Sequence, residues 1–499
     1  MKIMKINLFL LCVFLTVGVL GNNVYAQAPY NDNETSKLRA FLMQESAEPG
    51  VKNYQQLGIS QIDDINWGTV PGLTWNRQTY LLENIRWANK KLAGKLDISG
   101  FEALRIVYCE NNRLTEIDLT GNSSMIYFDC YENDLNTLDV STNVNLTDLC
   151  FRYNNLKEID LSNNKKLTFL CSTGNQLEIL DLSGLDKLST CYSVGNQLTS
   201  VILDDCVSLR VFLCMENNLT TLDLSNKPHL YEFSCARNNI SDINVTNCPS
   251  LSIFDCSDNN LQVVDLTGCT NLSYLKCSDN FLENIILDDC KSLEELNCEN
   301  NLLASLKLPD SPVLTTIRCR NNKMDFYSLP EILPSYTNYI YYPQNSRTIE
   351  ADIKNIDFSS FHNIGGFISR YTWNEHLTLL RPEMIEDGIF RLEDSFSGKS
   401  VICRIENESF PKLVLRYDVT LTSEDVSNVI PEKNTSSVYA SEGHIHVVVA
   451  SSANVRIFSL QGTLLMTKSV EEGRADIPVE KGMYIVSINN SKGYRLVVR

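Results

Sequence analysis

Seventeen cysteines and five histidines are the side chains in this sequence best suited to chemistry. A thiolate attacks carbonyls and disulfides, binds zinc or pairs with a second thiol, and a histidine supplies the base or completes a metal shell. The histidines, His229, His362, His376, His444 and His446, are scattered, and none sits in a strand beside Cys150 or Cys171 to activate it. His444 and His446 alternate along one strand-like segment and lack a third ligand. No Cys-x-x-Cys pair, phosphate-cradling glycine loop or metal-binding helix motif occurs. The sequence therefore predicts a non-enzyme with no catalytic residue, metal or cofactor.

The cysteines make sense once the elements that carry them are identified. Asparagine recurs every 21 residues, at 112, 133, 154, 175, 196, 217, 238, 259, 280, 301 and 322. Two residues after each stands Leu, Ile or Met, from Leu114 to Met324, and eight before each stands an apolar residue, from Leu104 to Leu314. One such unit holds a single short strand and cannot bury its own apolar face, so units must stack. A buried carboxamide both donates and accepts, which suits it to backbone groups where the chain leaves a strand. The asparagines are thus structural. Aspartates at the same period, such as Asp118, Asp139, Asp160, Asp181, Asp223 and Asp265, are structural too.

Eight cysteines share one repeat position: Cys109, Cys130, Cys214, Cys235, Cys256, Cys277, Cys298 and Cys319, with Phe151, Ser172 and Ser193 in the other three units. The position lies two residues after an apolar one, hence on the core side of a strand. Stacked strands lie about 4.8 Å apart, wider than the separation of roughly 3.5–4.5 Å that disulfide-linked Cβ atoms prefer. Buried free thiols pack as small hydrophobes. Cys206, Cys248, Cys269 and Cys290 form a second column read the same way. Cys150 and Cys171 are displaced by one residue, which turns them to the other face of the strand. They stand there as surface thiols, a strained cross-strand disulfide, part of a binding surface, or tolerated exceptions.

The unit L-x-x-L-x-C-x-x-N-x-L-x-x-L-D-L resembles the leucine-rich repeat from Leu104 to Met324, with cysteine replacing one leucine. The resemblance extends to internalin-like proteins with cysteine-bearing 21-residue repeats. It implies a mainly β, right-handed solenoid, poor in helix, that binds on its concave strand face. Outward positions in the first six units are Ile106, Tyr108, Tyr127, Tyr131, Arg152, Tyr153, Phe169, Tyr192, Val194, Val211, Leu213 and Met215. Aromatic and apolar residues concentrated there mark a ligand surface. Of these, all but Val194 form the predicted site. Later units present Glu232, Asp255, Lys276, Glu295, Arg318 and Arg320.

The flanks complete the expected organisation. Residues 1–26 carry Lys2 and Lys5, an apolar run and the cleavage-like Val24-Tyr25-Ala26, a secretory signal. Residues 27–103 lack the period and read as an amino-terminal cap containing a helix-like SKLRAFLMQES; 104–324 form the solenoid and 325–338 a connector. Alternating strands over 339–422 predict an Ig-like β-sandwich without the usual disulfide, since Cys403 stands alone there; 423–436 is a linker. In the all-β segment 437–499, VRIFSLQGTLL, KGMYIVSI and GYRLVVR resemble the carboxy-terminal sorting domain of the type IX secretion system of Bacteroidota, which implies that machinery as a partner.

A net charge of −18 and a pI near 4.8 argue against nucleic-acid or anionic-membrane partners, and no later segment is a transmembrane helix. The expectation is an exported protein, secreted or on the outer cell surface by way of the periplasm. It binds a protein or glycoprotein ligand in adhesion or host–microbe contact. Glycan capture and a structural surface spacer are the alternative functions.

Overall fold

The computed structural model describes residues 30–422 and, beyond them, 437–441, 444–449, 453–459, 464–470, 473–479, 482–488 and 494–498. The expected signal segment and the linker 423–436 lie outside the described residues. Two units are distinguished, the first reaching Asn322 and including Pro330–Ile340, the second comprising Lys323–Leu329 and everything from Tyr341.

The first unit is a solenoid of stacked coils. Its spine is a sheet of fourteen strands in chain order. The first strand, Leu73–Trp75, runs antiparallel to Leu82–Arg86, and every later neighbour is parallel. Most coils contribute three residues, as in Ile253–Asp255, whose middle residue Phe254 is buried and whose outer two are half-buried. That alternation follows from the strand period of two. Phe212, Phe233 and Phe254 stack inside with ring centroids 6.0 and 5.2 Å apart and nearly parallel planes.

The asparagine column is the seam. Asn259 Nδ2 donates to the carbonyls of Cys235 (3.0 Å), Cys256 (3.2 Å) and Ser257 (3.2 Å), while its Oδ1 accepts from Ile240 N–H (2.9 Å). Each asparagine from Asn133 to Asn322 repeats the two bonds to the preceding coil, 24 and 19 residues back. At the opposite turn, Asp139, Asp160, Asp181 and Asp265 each accept the N–H two residues on, the structural task expected of them.

The sixteen described cysteines are all free. Both inward columns are fully buried, and burial pushes their thiols up. In the second column Cys206, Cys248 and Cys269 donate to a carbonyl 24 residues back, as Cys248 does to Leu224 (3.2 Å). Where Phe151 enters the first column, the next two coils carry Ser172 and Ser193, whose hydroxyls meet at 2.6 Å.

The ladder exceeds the 21-residue period at both ends. Leu82–Arg86 precedes the first repeat, and Asn338–Ile340 follows the last. Both terminal steps are 22 residues long (Asn84 to Ile106, Thr316 to Asn338), and the first coil puts Trp87 in the place of the column cysteine. The helix Asp32–Leu42 is capped by Asn31, whose side chain accepts from Glu34 N–H; it begins four residues before SKLRAFLMQES and ends inside it. It lays Phe41 on Trp87, with ring centroids 5.6 Å apart.

In the second unit a five-stranded sheet runs in the order Arg347–Asp352, Val414–Thr422, Ser400–Glu406, Arg370–Glu375, Thr378–Leu380. Its first pair is parallel and the rest antiparallel. Phe390, from a three-stranded sheet, meets Trp373 (5.2 Å) and Tyr371 (4.8 Å) of the larger one. The segment from Ser437 forms sheets of three and four strands around Ile445, Val447, Val455, Ile457, Ile477 and Val486.

Candidate functional site

Strand register places the outward side chains of the first coils in three rows. One row runs Ile106, Tyr127, Asp148, Phe169, Thr190, Val211. The next runs Tyr108, Asp129, Cys150, Cys171, Tyr192, Leu213. Two residues further along each coil stand Glu110, Tyr131, Arg152, Thr173, Val194 and Met215. Ten of the eleven predicted site residues fall in these rows, all half-buried rather than projecting.

Tyr153 does not belong with them. It occupies the turn after the strand with a φ of 52°, in a column of left-handed residues that includes Asn111, Glu132, Gly174, Gly195 and Arg237. A left-handed backbone directs the side chain off the strand face, and Tyr153 is 51% exposed at the rim. A Cβ at Gly174 would lie 2.3 Å from its ring, so the tyrosine covers the glycine of the following coil.

The aromatics associate in pairs that bridge the first two rows. Tyr108 and Tyr127 have ring centroids 4.7 Å apart, and Phe169 meets Tyr192 edge-on at 5.7 Å. Arg86 lies over Tyr108 at 4.6 Å and Arg152 over Tyr131 at 4.3 Å. Cation and ring together hold each flat surface in place. The apolar character does not stop at the sixth coil: Ile253 and the exposed Tyr274 continue the first row between charged neighbours.

Between the two aromatic pairs lies a polar cluster that sequence reasoning did not assemble. Asp129 is 9% exposed and accepts from Tyr131 N–H at 3.2 Å. Burial raises its carboxyl above the usual range, and burial does the same to Glu110. Cys150 and Cys171 are register partners on adjacent strands, and the single S–H of Cys150 is shared between Cys171 Sγ and the Asp129 carboxylate. They share the outward strand face as the one-residue shift predicts. Cys150 is half-exposed, whereas Cys171 is only 5% exposed, so the pair is less open than a free surface position. The bond from its partner lowers Cys171 and raises Cys150. Among the described residues no group of three or more His, Cys, Asp or Glu side chains is arranged to hold a metal ion.

Cys191 is a further cysteine outside both columns. It fills the central buried strand position, between Leu170 and Phe212, with Sγ 3.6 Å from Ser193 Oγ. Its neighbours at that position are all large and apolar, so only the strand register distinguishes it from the column cysteines. No helix among the described residues is long and apolar enough to cross a membrane.

No family model and no curated protein matches the chain. Solved structures similar to it include leucine-rich-repeat proteins. The functional domain of InlJ from Listeria monocytogenes, which includes a cysteine ladder, is 20% identical over 66% of this chain and 90% of its own, with a TM-score of 0.41. YopM from Yersinia enterocolitica is 22% identical over 52% of this chain and 61% of its own, with a TM-score of 0.41. The leucine-rich effector YopM from Yersinia pestis is 24% identical over 49% and 73%, with a TM-score of 0.39.

Proposed function

We propose that this chain is an exported, surface-associated binding scaffold that engages a protein or glycoprotein ligand on the concave face of its first six coils. The observation that carries the reading is the pair of aromatic patches, Tyr108 with Tyr127 and Phe169 with Tyr192 and the neighbouring Leu213, each pre-ordered by ring pairing and separated by the one polar coil of Asp148 and Cys150. Rigid aromatics supply contact area at small entropic cost, and a few such anchors carry most interface energy. Flat patches suit a macromolecular surface better than a small molecule, which needs an enclosing pocket. Residues 27–103 fit a cap for the first coil, 339–422 an Ig-like spacer, and the segment from Ser437 a sorting domain for the type IX machinery.

The full chain, screened on protein and glycan arrays, tests this reading. Protein or glycoprotein binding lost in Tyr127→Ala/Tyr192→Ala but kept in Glu295→Ala supports it. Binding to free glycans alone turns the reading to carbohydrate capture, and no binding at all to a spacer. Deletion from Ser437 onward strands the protein in the periplasm if the tail sorts it; normal surface levels of the truncated chain refute that role.

A further inference from the structure

Two thiols that belong to neither buried column stand together on the outward face. We propose that Cys150 and Cys171 form a redox-active dithiol that exchanges with external disulfides, either small molecules or disulfide-bearing proteins. Three features separate this pair from the column cysteines, whose strand spacing is the same.

Access is the first. Cys150 is half-exposed on the outward strand face, whereas Cys235, Cys256 and Cys277 have no exposure at all. Local chemistry is the second. Cys150 contacts the carboxylate of Asp129, a base held out of water, while column thiols such as Cys109 and Cys277 point at backbone carbonyls. Charge is the third. Arg152, braced between the rings of Tyr131 (4.3 Å) and Tyr153 (5.7 Å), acts electrostatically on both sulfurs and helps to lower Cys171, which suits that thiol to the second, resolving attack.

The exchange balances as follows. Asp129 takes the proton of Cys150, whose sulfur attacks R–S–S–R; a mixed disulfide Cys150–S–S–R forms and R–S⁻ leaves. Cys171 then attacks the Cys150 sulfur, closing Cys150–Cys171 and expelling the second R–S⁻. The two protein protons end on the two released thiols. The protein is oxidised by two electrons and the external disulfide is reduced. Adjacent parallel strands sit about 4.8 Å apart, at the wide edge for a disulfide, so the closed form is strained and easily reduced again. That suits exchange rather than stapling.

The test uses the reduced, folded full chain and 4,4′-dithiodipyridine, whose released thiopyridone is read by absorbance. Wild type should release about two equivalents in a fast phase, lose two hydrogens in mass, retain no pyridyl adduct, and yield a Cys150–Cys171 linked peptide. Cys171→Ser should stop at about one equivalent with the adduct on Cys150, and Cys150→Ser should lose the fast phase. Asp129→Asn should slow the first step roughly tenfold or more. A fast phase mapping to column cysteines, or a wild-type adduct on Cys150 that never closes, overturns the proposal. An Asp129→Asn rate equal to wild type removes Asp129 as the base. The wild-type mass and peptide map decide the matter even if a variant fails to fold.

Discussion

Replacing Asn259 with alanine measures what the seam of the solenoid contributes. The side chain is 6% exposed and makes four bonds to backbone. The carbonyl of Cys235 would still receive Asn238 Nδ2 at 3.0 Å, and that of Cys256 would still receive Asn280 Nδ2 at 3.0 Å. Each therefore loses one of two bonds, about 0.5–1 kcal/mol apiece. The N–H of Ile240 loses its acceptor while buried, which costs about 1–3 kcal/mol. The sum is roughly 2–5 kcal/mol, against about 0.5 kcal/mol or less for Asn271→Ala at an exposed site. Because a repeat array loses stability coil by coil, denaturant melting should be paired with amide hydrogen exchange. The amide of Ile240 should exchange far faster in Asn259→Ala, and those of distant coils should not. Equal costs for the two variants, or unchanged protection at Ile240, would refute the account of the column as backbone-satisfying structure.

Other perturbations separate further parts of the argument. Gly174→Ala and Gly195→Ala both force a side chain into left-handed backbone, at about 1 kcal/mol. Only the first also collides with Tyr153, so its melting temperature should fall further, and a matched pair would show that Tyr153 is not seated there. Burial raises the carboxyl of Glu34 from 4.5 to about 7. The folded state then holds a proton that the unfolded chain has released, so stability should fall as pH rises from 4.5 to about 7, by on the order of 2–3 kcal/mol. Glu34→Gln, which keeps an acceptor for Leu82 N–H, should flatten that slope in pH-dependent melting. The column thiols should resist alkylation until denaturation. Cys256→Ser should cost about 1–2 kcal/mol in melting experiments, since Ser172 already finds a carbonyl partner at such a position (3.3 Å). A cost as small as that of Cys150→Ser would contradict the packing role.

The interior of the solenoid was legible because stacking repeats one set of constraints in every coil. A lost asparagine or leucine would leave the same hole wherever it occurred, so the period is strict from Asn112 to Asn322. The end coils escaped because their outer faces meet something other than a coil. Trp87 replaces the cysteine to meet Phe41, and a 22-residue step breaks the count. Tyr153 was misplaced because it was grouped with Arg152, although the chain has left the strand by then and φ changes sign at Tyr153. Asp129 gave no signal of its own. Asp255 occupies the same outward row without being buried, and what distinguishes Asp129 is burial beside Tyr127 and Tyr131 of its own coil and Cys150 of the next.

The bonds of the asparagine column also restrict how the gene can lengthen or shorten. Excise residues 232–252, one full turn, and Asn259 finds the carbonyl of Cys214 and the N–H of Leu219 at its old offsets, the same two groups that Asn238 serves in the intact chain. The junction heals without a new partner. Excise twenty residues instead, and the carboxamide misses both groups while every core side chain beyond the cut rotates to the opposite side of its strand. Insertions and losses within the solenoid are therefore tolerated only as whole turns, and its length can drift by duplication and deletion while its cross-section stays fixed.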